Sequence, residues 1–188
     1  MTRSFLSVAV VFLLGAALPS GVLGADWQQQ EASSLTFVAL YDGGEFEGRF
    51  ENFDTRITLD PEQPDGGCLQ AVIRIVSVNT ENEERDDALV GNDWFTLAKY
   101  PEARFVTTGI RHLTDHNYVA DARLTIRDMT RELRFPFTFD VTGDAARLQA
   151  EVTLNRLDYH IGQGDWADDD LIGYPVRVRV DLHLQRGQ

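Results

Sequence analysis

The chain has 188 residues, with 17 basic and 30 acidic side chains and a formal net charge of −13. This length predicts one domain, and so large an acidic excess argues against binding to nucleic acid or to anionic membrane surfaces. Cys68 is the only cysteine, which excludes an internal disulfide, a CxxC redox pair and a cysteine-based zinc site. The fold must therefore be stabilised by its own hydrophobic core.

Residues 1–24 have the composition of a secretory signal peptide. Arg3 precedes an apolar run from Phe5 to Leu14, and small residues lead up to Gly24; this is the order of a basic start, an apolar core and a cleavage region. The apolar run is shorter than the roughly 20 residues that a membrane-spanning helix needs. We therefore expect export, cleavage before Ala25 and a mature domain over residues 25–188 that has no membrane span.

Four segments in the second half of the chain alternate apolar and polar residues. Successive side chains of a β-strand point to opposite faces, so each segment predicts a strand with one dry and one wet face. Thr142-Gly143-Asp144 and Asp128-Met129 predict tight turns between them. The dry faces consist of Tyr118, Ala120, Ala122, Leu124 and Ile126; Leu133, Phe135, Phe137, Phe139 and Val141; Leu148, Ala150, Val152 and Leu154; and Val176, Val178, Val180, Leu182 and Leu184.

The first half shows weaker alternation and one interruption. Arg104–Arg111 is a further strand candidate, and the total is eight or nine strands. Asp86 or Asp87 can cap a short helix through Leu89, and Asn92 or Asp93 can cap a second one before Pro101. The weaker stripes are Leu35, Phe37 and Ala39; Phe46, Gly48 and Phe50; and Ala71, Ile73 and Ile75.

One-sided antiparallel strands must bury their dry faces against each other, either in a sandwich or in a closed barrel. Eight strands can close a barrel whose interior is packed with side chains or holds one small ligand. The dry faces are rich in Phe, Ile, Leu and Val. If the interior is hollow, its ligand is therefore apolar.

A series of short motifs lies along the chain: Phe46-x-Gly48-x-Phe50-x-x-Phe53, Leu59-Asp60-Pro61, Ser77-Val78-Asn79-Thr80, Leu89 with Asp93-Trp94-Phe95, Tyr100-Pro101-x-Ala103-x-Phe105, Leu124-Thr125-Ile126-Arg127 with Thr130, and Arg156-x-Asp158-Tyr159-x-Ile161-Gly162. In this order and spacing, the motifs resemble the YceI-like proteins from about Leu35 to Leu184. The segment Gly162-Gln163-Gly164-Asp165-Trp166-Ala167 is similar to the branch of that family associated with b-type cytochromes of the inner membrane.

The resemblance implies an all-β fold, a lipocalin-like antiparallel barrel of about eight strands with a short helical insert, in the periplasm of a Gram-negative bacterium. It also implies that the lumen holds a long isoprenoid chain, such as a quinone or a quinone precursor, and that the protein is not an enzyme and has no other cofactor. Two positions depart from the family pattern, which usually has Gly where this chain has Asp128 and His160. Asp128 can keep the turn, because Asp tolerates a left-handed backbone better than most residues.

The predicted ligand-binding residues are large apolar side chains on the dry faces and on the helical insert. The stripe of Phe135, Phe137 and Phe139 is either ordinary core packing or a lumen wall, and Trp94 and Phe95 either cap the lumen or simply pack. The full predicted set is Phe37, Ile73, Trp94, Phe95, Phe105, Tyr118, Phe135, Phe137 and Phe139.

Other polar groups give weaker signals. His112 and His116 flank a turn but lack a clear third metal ligand, and the acidic loop at residues 165–170 lacks EF-hand spacing, so we expect no metal site. Arg156 and Asp158 would share a face of a strand, either as a structural ion pair or as a contact to a ligand head group. The sequence contains no Gly-x-Ser-x-Gly elbow, HExxH helix or phosphate loop.

Two hypotheses about function follow. The first is a carrier or sequestering protein for an isoprenoid lipid. The second is a barrel filled by its own side chains that acts as an interaction or stress-response module and docks on a membrane b-type cytochrome. A large internal cavity favours the first, and a closed lumen favours the second.

Overall fold

The structure is a computed structural model that describes residues 25–187. The predicted signal peptide therefore lies outside the described residues. The strands are β1 (Asp26–Gln29), β2 (Ser34–Tyr41), β3 (Gly44–Phe50), β4 (Phe53–Thr58), β5 (Cys68–Arg74), β6 (Val78–Asn79), β7 (Glu102–Thr114), β8 (Asn117–Ile126), β9 (Met129–Thr142), β10 (Ala145–Asn155) and β11 (Pro175–Arg186).

The strands form one closed antiparallel barrel. β1 pairs on one side with β4 and on the other with β11, which closes the ring β1-β4-β5-β7-β8-β9-β10-β11. β2 continues β1 along the same edge of β11, and β3 pairs with β2. Three strands of the barrel wall are therefore interrupted, and each consists of two segments: β1 with β2, β3 with β4, and β5 with β6. The predicted eight-stranded barrel is confirmed.

Side chains replace the ladder hydrogen bonds where the first wall strand is interrupted. The Ser33 hydroxyl accepts from the backbone N–H of His183 at 3.0 Å and donates to the carbonyl of the same residue at 3.2 Å. The Gln29 side chain similarly donates to the carbonyl of Phe53 and accepts from the hydroxyl of Thr55. The bonds to the N–H of His183 and to the carbonyl of Phe53 satisfy backbone groups at the interruption, and the carbonyl of His183 also accepts from the N–H of Gln30 at 2.8 Å.

The helical insert differs from its prediction. Residues 25–187 contain a single α-helix, α1 (Glu83–Leu89), which begins after Asn82, whose side chain accepts from the backbone N–H of Arg85. Asp86 does not cap this helix, because its carboxylate accepts from the backbone and hydroxyl of Thr80. The prediction of a second helix is wrong. Residues 92–99 form turns, and Thr96 has a φ of 52°, which interrupts a right-handed helix.

The turn between β8 and β9 also corrects an expectation. The left-handed residue is Arg127, with a φ of 55°, and not Asp128. The predicted turn after β9 is confirmed, because Gly143 separates the strands with a φ of 62°.

The lower end of the barrel, where the connections around residues 59–67, 115–116 and 143–144 lie, is filled by side chains. The Trp27 ring meets Phe139 edge to face at a centroid distance of 5.4 Å, and its indole N–H donates to the carbonyl of Leu59 at 2.9 Å. Tyr118 stacks on Phe137 at 5.3 Å, and burial raises the pKa of Tyr118. This end is therefore a closed core.

Candidate functional site

The upper half of the barrel is hollow. Its cavity has a volume of about 480 Å³ and is lined almost entirely by apolar side chains. Pockets that hold small organic ligands have volumes of about 300–1,000 Å³. The wall includes Leu35, Phe37, Ala39, Phe46, Phe50, Phe53, Ala71, Ile73, Phe105, Leu124, Ile126, Phe135, Val152, Leu154, Val176, Val178 and Val180.

A gradient of exposure along the strands marks the boundary between core and cavity. On β11, Leu184 is 2% exposed and lies outside the cavity wall, Leu182 is 4% exposed and lines the cavity, and the inward-facing Val178 and Val180 above them are only partly buried. β10 changes in the same way from Ala146, which is buried outside the wall, through Leu148, which is buried and lines the cavity, to the partly buried residues nearer its end. The inward face of one strand therefore serves as core below and as cavity wall above.

The structure divides the predicted ligand-binding residues into two groups. Six of them line the cavity: Phe37, Ile73, Trp94, Phe95, Phe105 and Phe135. Tyr118, Phe137 and Phe139 lie instead in the filled lower core and are absent from the cavity wall. Of the two alternatives for this stripe, the position of Phe135 corresponds to a lumen wall and the positions of Phe137 and Phe139 to core packing, because the strand descends into the filled end of the barrel.

Aromatic rings surround the upper cavity. Phe50 contacts Phe37 at a centroid distance of 5.7 Å and Phe95 at 6.0 Å, and Trp94 lies 5.8 Å from Trp166. The sequence prediction omitted Phe46 and Phe50 as ligand contacts, although both lie on a predicted inward face. It also omitted Tyr159, Ile161 and Trp166, which come from an irregular connection that carries no periodic signal.

Gly48 explains how the Phe37 ring fits into the wall. A Cβ at Gly48 would overlap the Phe37 ring and the methyl group of Thr80. Since β2 and β3 pair directly at Phe37 and Gly48, the missing side chain leaves the space that the ring occupies. The glycine of the Phe46-x-Gly48-x-Phe50 motif is therefore required by packing.

Arg156 organises the long connection between β10 and β11. It lies in a 3-10 helix (Arg156–Tyr159), not in a strand, which corrects the expected pairing with Asp158 on a strand face. The side chain is 3% exposed, and burial lowers its pKa. Its guanidinium donates to the carbonyls of Ile161, Gly162, Asp168, Ile172 and Gly173.

These five hydrogen bonds hold residues 161–173 over the upper end of the barrel, beside the cavity. Gly162 makes the close approach possible, since a Cβ there would overlap the Arg156 guanidinium and its φ is 74°. Tyr159, which is 3% exposed and lines the same region, has its pKa raised mainly by burial. Arg156 is thus a structural residue that shapes the cavity.

The cavity opens beside α1. The mouth is lined by Asn82, Glu84, Arg85 and the exposed Ala88, together with Tyr41 and the half-buried Phe46. The connections at this end of the barrel are strongly acidic. They contain Asp42, Glu81, Glu83, Glu84, Asp86, Asp87, Asp93, Asp128, Asp158, Asp165, Asp168, Asp169 and Asp170 against Arg85, Lys99, Arg127 and Arg156.

The two histidines that were considered as metal ligands, His112 and His116, make other contacts in the structure. His112 contacts the carbonyl of Asp115 at 2.7 Å, and His116 pairs with Asp140 at 3.3 Å. Within residues 25–187, no group of three or more His, Cys, Asp or Glu side chains is arranged to hold a metal ion. In the same part of the chain, no helix is long and apolar enough to cross a membrane.

Comparison with known proteins identifies the family. The family model described as a YceI-like domain matches residues 27–184, so the chain belongs to the YceI-like family. A UPF0312 protein of Pseudomonas putida strain W619 is 28% identical over 137 residues, which are 70% of this chain and 71% of the relative. A UPF0312 protein of Pseudomonas savastanoi pv. phaseolicola is 26% identical over 166 residues, covering 82% and 86% of the two chains.

Solved structures share the fold. BcnA of Burkholderia cenocepacia superposes with a TM-score of 0.81 at 24% identity, covering 83% of this chain and 99% of BcnA. A polyisoprenoid-binding domain from Saccharophagus degradans has a TM-score of 0.68 at 19% identity, with 88% and 99% covered. The YceI protein of Campylobacter jejuni has a TM-score of 0.66 at 18% identity, with 100% and 99% covered. The barrel with its insert is therefore the architecture of this family.

Proposed function

We propose that this protein binds a long apolar isoprenoid lipid, of the polyisoprenoid or quinone type, in the upper cavity of the barrel for transport, storage or sequestration. The observation that carries this proposal is the apolar cavity of about 480 Å³, which opens beside α1. A barrel filled by its own side chains would have favoured an interaction module that docks on a b-type cytochrome. The hollow upper half favours the carrier.

Burial supplies the binding free energy. Each methylene transferred from water into an apolar site contributes about 0.8 kcal/mol, so a chain of several isoprene units binds without a strong polar contact. Ordering the flexible chain offsets part of this gain. The Saccharophagus degradans domain, described as polyisoprenoid-binding, has the same fold and supports the assignment of ligand class.

The same proposal places the protein in the periplasm, as a binding protein without catalytic activity. The support is the secretory pattern of residues 1–24, with Arg3, the Phe5–Leu14 run and Gly24. N-terminal sequencing of the exported form should give Ala25 or Asp26 as its first residue. An exported protein that retains Met1 would contradict this placement.

The function is tested by purifying the mature protein from its own periplasm and identifying co-extracted lipids by mass spectrometry. We expect an isoprenoid lipid in near-stoichiometric amount. Ala71→Phe, which adds a ring to the cavity wall, should abolish co-purification, whereas Ala145→Phe, on an exposed strand end, should not. Absence of lipid from the parent protein, or equal lipid in both variants, would refute the proposal.

A further inference from the structure

Arg85 is the basic side chain at the mouth of the cavity. It belongs to the first turn of α1, and its side chain is half-buried among the mouth residues Asn82, Glu84 and Ala88. No sequence motif marks this arginine, but its contacts are specific.

The guanidinium of Arg85 is fixed from two sides. Nε donates to the hydroxyl of Thr80 at 2.8 Å, and Nη2 donates to the Thr80 carbonyl at 2.8 Å. Thr80 is itself 4% exposed and is held by Asp86 through its backbone N–H and its hydroxyl. The guanidinium carbon also lies 4.2 Å from the centroid of the Phe46 ring. The side chain is therefore held in one orientation before any ligand binds.

Nη1 of Arg85 makes no hydrogen bond or ion pair within residues 25–187. A guanidinium carries five N–H donors and no acceptor, so the Nη1 donors remain available on a side chain that lines the mouth of the cavity. A ligand whose hydrocarbon part fills the cavity would place its polar end at this point.

We propose that Arg85 donates a hydrogen bond to an uncharged oxygen, such as a carbonyl, in the head group of the bound lipid. This inference rests on the proposed lipid-binding function and adds the class of head group. An uncharged acceptor fits better than a phosphate because Glu84 lies beside Arg85 and acidic residues dominate this end of the barrel. Like charges brought together at a partly desolvated site oppose binding.

The test uses three probes with the same four-isoprene tail: a benzoquinone, a monophosphate and a hydrocarbon without a head group. Binding is followed by quenching of tryptophan fluorescence, since Trp94 and Trp166 line the cavity. Arg85→Met should weaken binding of the quinone about tenfold and change binding of the hydrocarbon less than twofold. Arg123→Met, on the exposed outer face of β8, is the matched control and should change neither.

Arg85→Lys provides a second variant if the methionine variant unfolds, because it keeps the positive charge but loses the fork that reaches both Thr80 and the ligand. We expect it to weaken quinone binding at least threefold. Equal losses for quinone and hydrocarbon, or no loss for the quinone in either variant, would overturn the role of Arg85.

Head-group charge is tested with the parent protein and Glu84→Gln. The parent should bind the quinone more tightly than the phosphate, and Glu84→Gln should improve phosphate binding at least threefold. A parent that prefers the phosphate would overturn the uncharged head group while leaving lipid binding intact. If the parent binds none of the three probes, the proposed function itself fails, and this inference fails with it.

Discussion

At the scale of single residues, His160 is one of six non-glycine residues with a left-handed backbone in the part of the chain that the structure describes. It follows the Arg156–Tyr159 turn with a φ of 54°, its carbonyl accepts from Arg127, and its side chain is exposed. A left-handed conformation costs a non-glycine residue about 1–2 kcal/mol. A glycine would adopt this backbone conformation without that cost.

We therefore expect His160→Gly to raise the free energy of unfolding by about 0.5–1 kcal/mol. The relief of strain exceeds the about 0.4–1 kcal/mol that glycine costs through the unfolded chain. Urea unfolding of the lipid-free protein measures the change. His116→Gly, at an exposed turn residue that lacks a positive φ, should lower stability instead. A loss of stability in both variants would show that His160 is not strained.

Arg156, in contrast to the exposed His160, is buried, and its guanidinium donates five hydrogen bonds. Replacing it by Met leaves five backbone carbonyls without their donor. An unsatisfied buried polar group costs about 1–3 kcal/mol, so we expect Arg156→Met to lose at least about 3 kcal/mol of stability. Hydrogen exchange should localise the loss to residues 156–174. Arg156→Lys should rescue little of it, since an ammonium cannot reach all five carbonyls; full rescue by Lys would contradict this role.

At the scale of elements, each strand changes function along its length. Phe137 on β9 is 4% exposed and belongs to the lower core. We expect Phe137→Ala to lower the free energy of unfolding by about 3–5 kcal/mol with or without lipid. Phe95→Ala, at a half-buried cavity residue, should cost clearly less in the lipid-free protein. Thermal and urea unfolding measure both, and equal costs would contradict the division into core and cavity.

The upper part of β11 should show the complementary behaviour. Val178 faces the cavity and is only partly buried. Val178→Thr keeps the side-chain shape and adds a hydroxyl, which lipid would leave without a hydrogen-bond partner. We expect affinity for an isoprenoid to fall about tenfold while lipid-free stability changes by less than about 1 kcal/mol. Val72→Thr, at a half-buried residue of β5 outside the cavity wall, is the control and should leave affinity unchanged.

At the scale of the whole molecule, net charge is the dominant electrostatic feature. The outer face of β10 and β11 carries exposed ion pairs, including Arg147 with Asp181 at 2.6 Å and Arg179 with Glu151 at 2.7 Å. Exposed pairs contribute little to stability, with a median of about 0–1 kcal/mol. They therefore do not offset the repulsion among 30 acidic residues.

We accordingly expect a higher Tm in moderate salt than in dilute buffer. The Debye length falls from about 30 Å at 0.01 M to about 8 Å at 0.15 M, which screens repulsion across the barrel. An increase of about 2–4 °C corresponds to about 1 kcal/mol for a domain of this size. Parallel scans in NaCl and KCl separate screening from ion-specific effects. A flat or falling Tm would contradict the expectation.

The strands were predictable from the sequence, whereas the upper connections were not. The dry face of β8, from Tyr118 to Ile126, can be predicted from the sequence because the alternation of side chains between two faces is a local property of an extended chain. The predicted cap of α1 was Asp86 or Asp87, because Asp is a favoured capping residue. Asn82 caps the helix because Thr80 engages Asp86. That contact lies outside any local pattern.

The sequence by itself determined which side chains share the dry face of each strand, and it predicted eight or nine strands and, for a hollow interior, an apolar ligand. Only the tertiary structure decided where the interior is filled and where it is hollow. Phe135 and Phe137 share one face of one strand, yet Phe135 lines the cavity and Phe137 does not. The physical reason is that filling depends on the side chains that meet across the barrel at each level, and those belong to strands far apart in the chain.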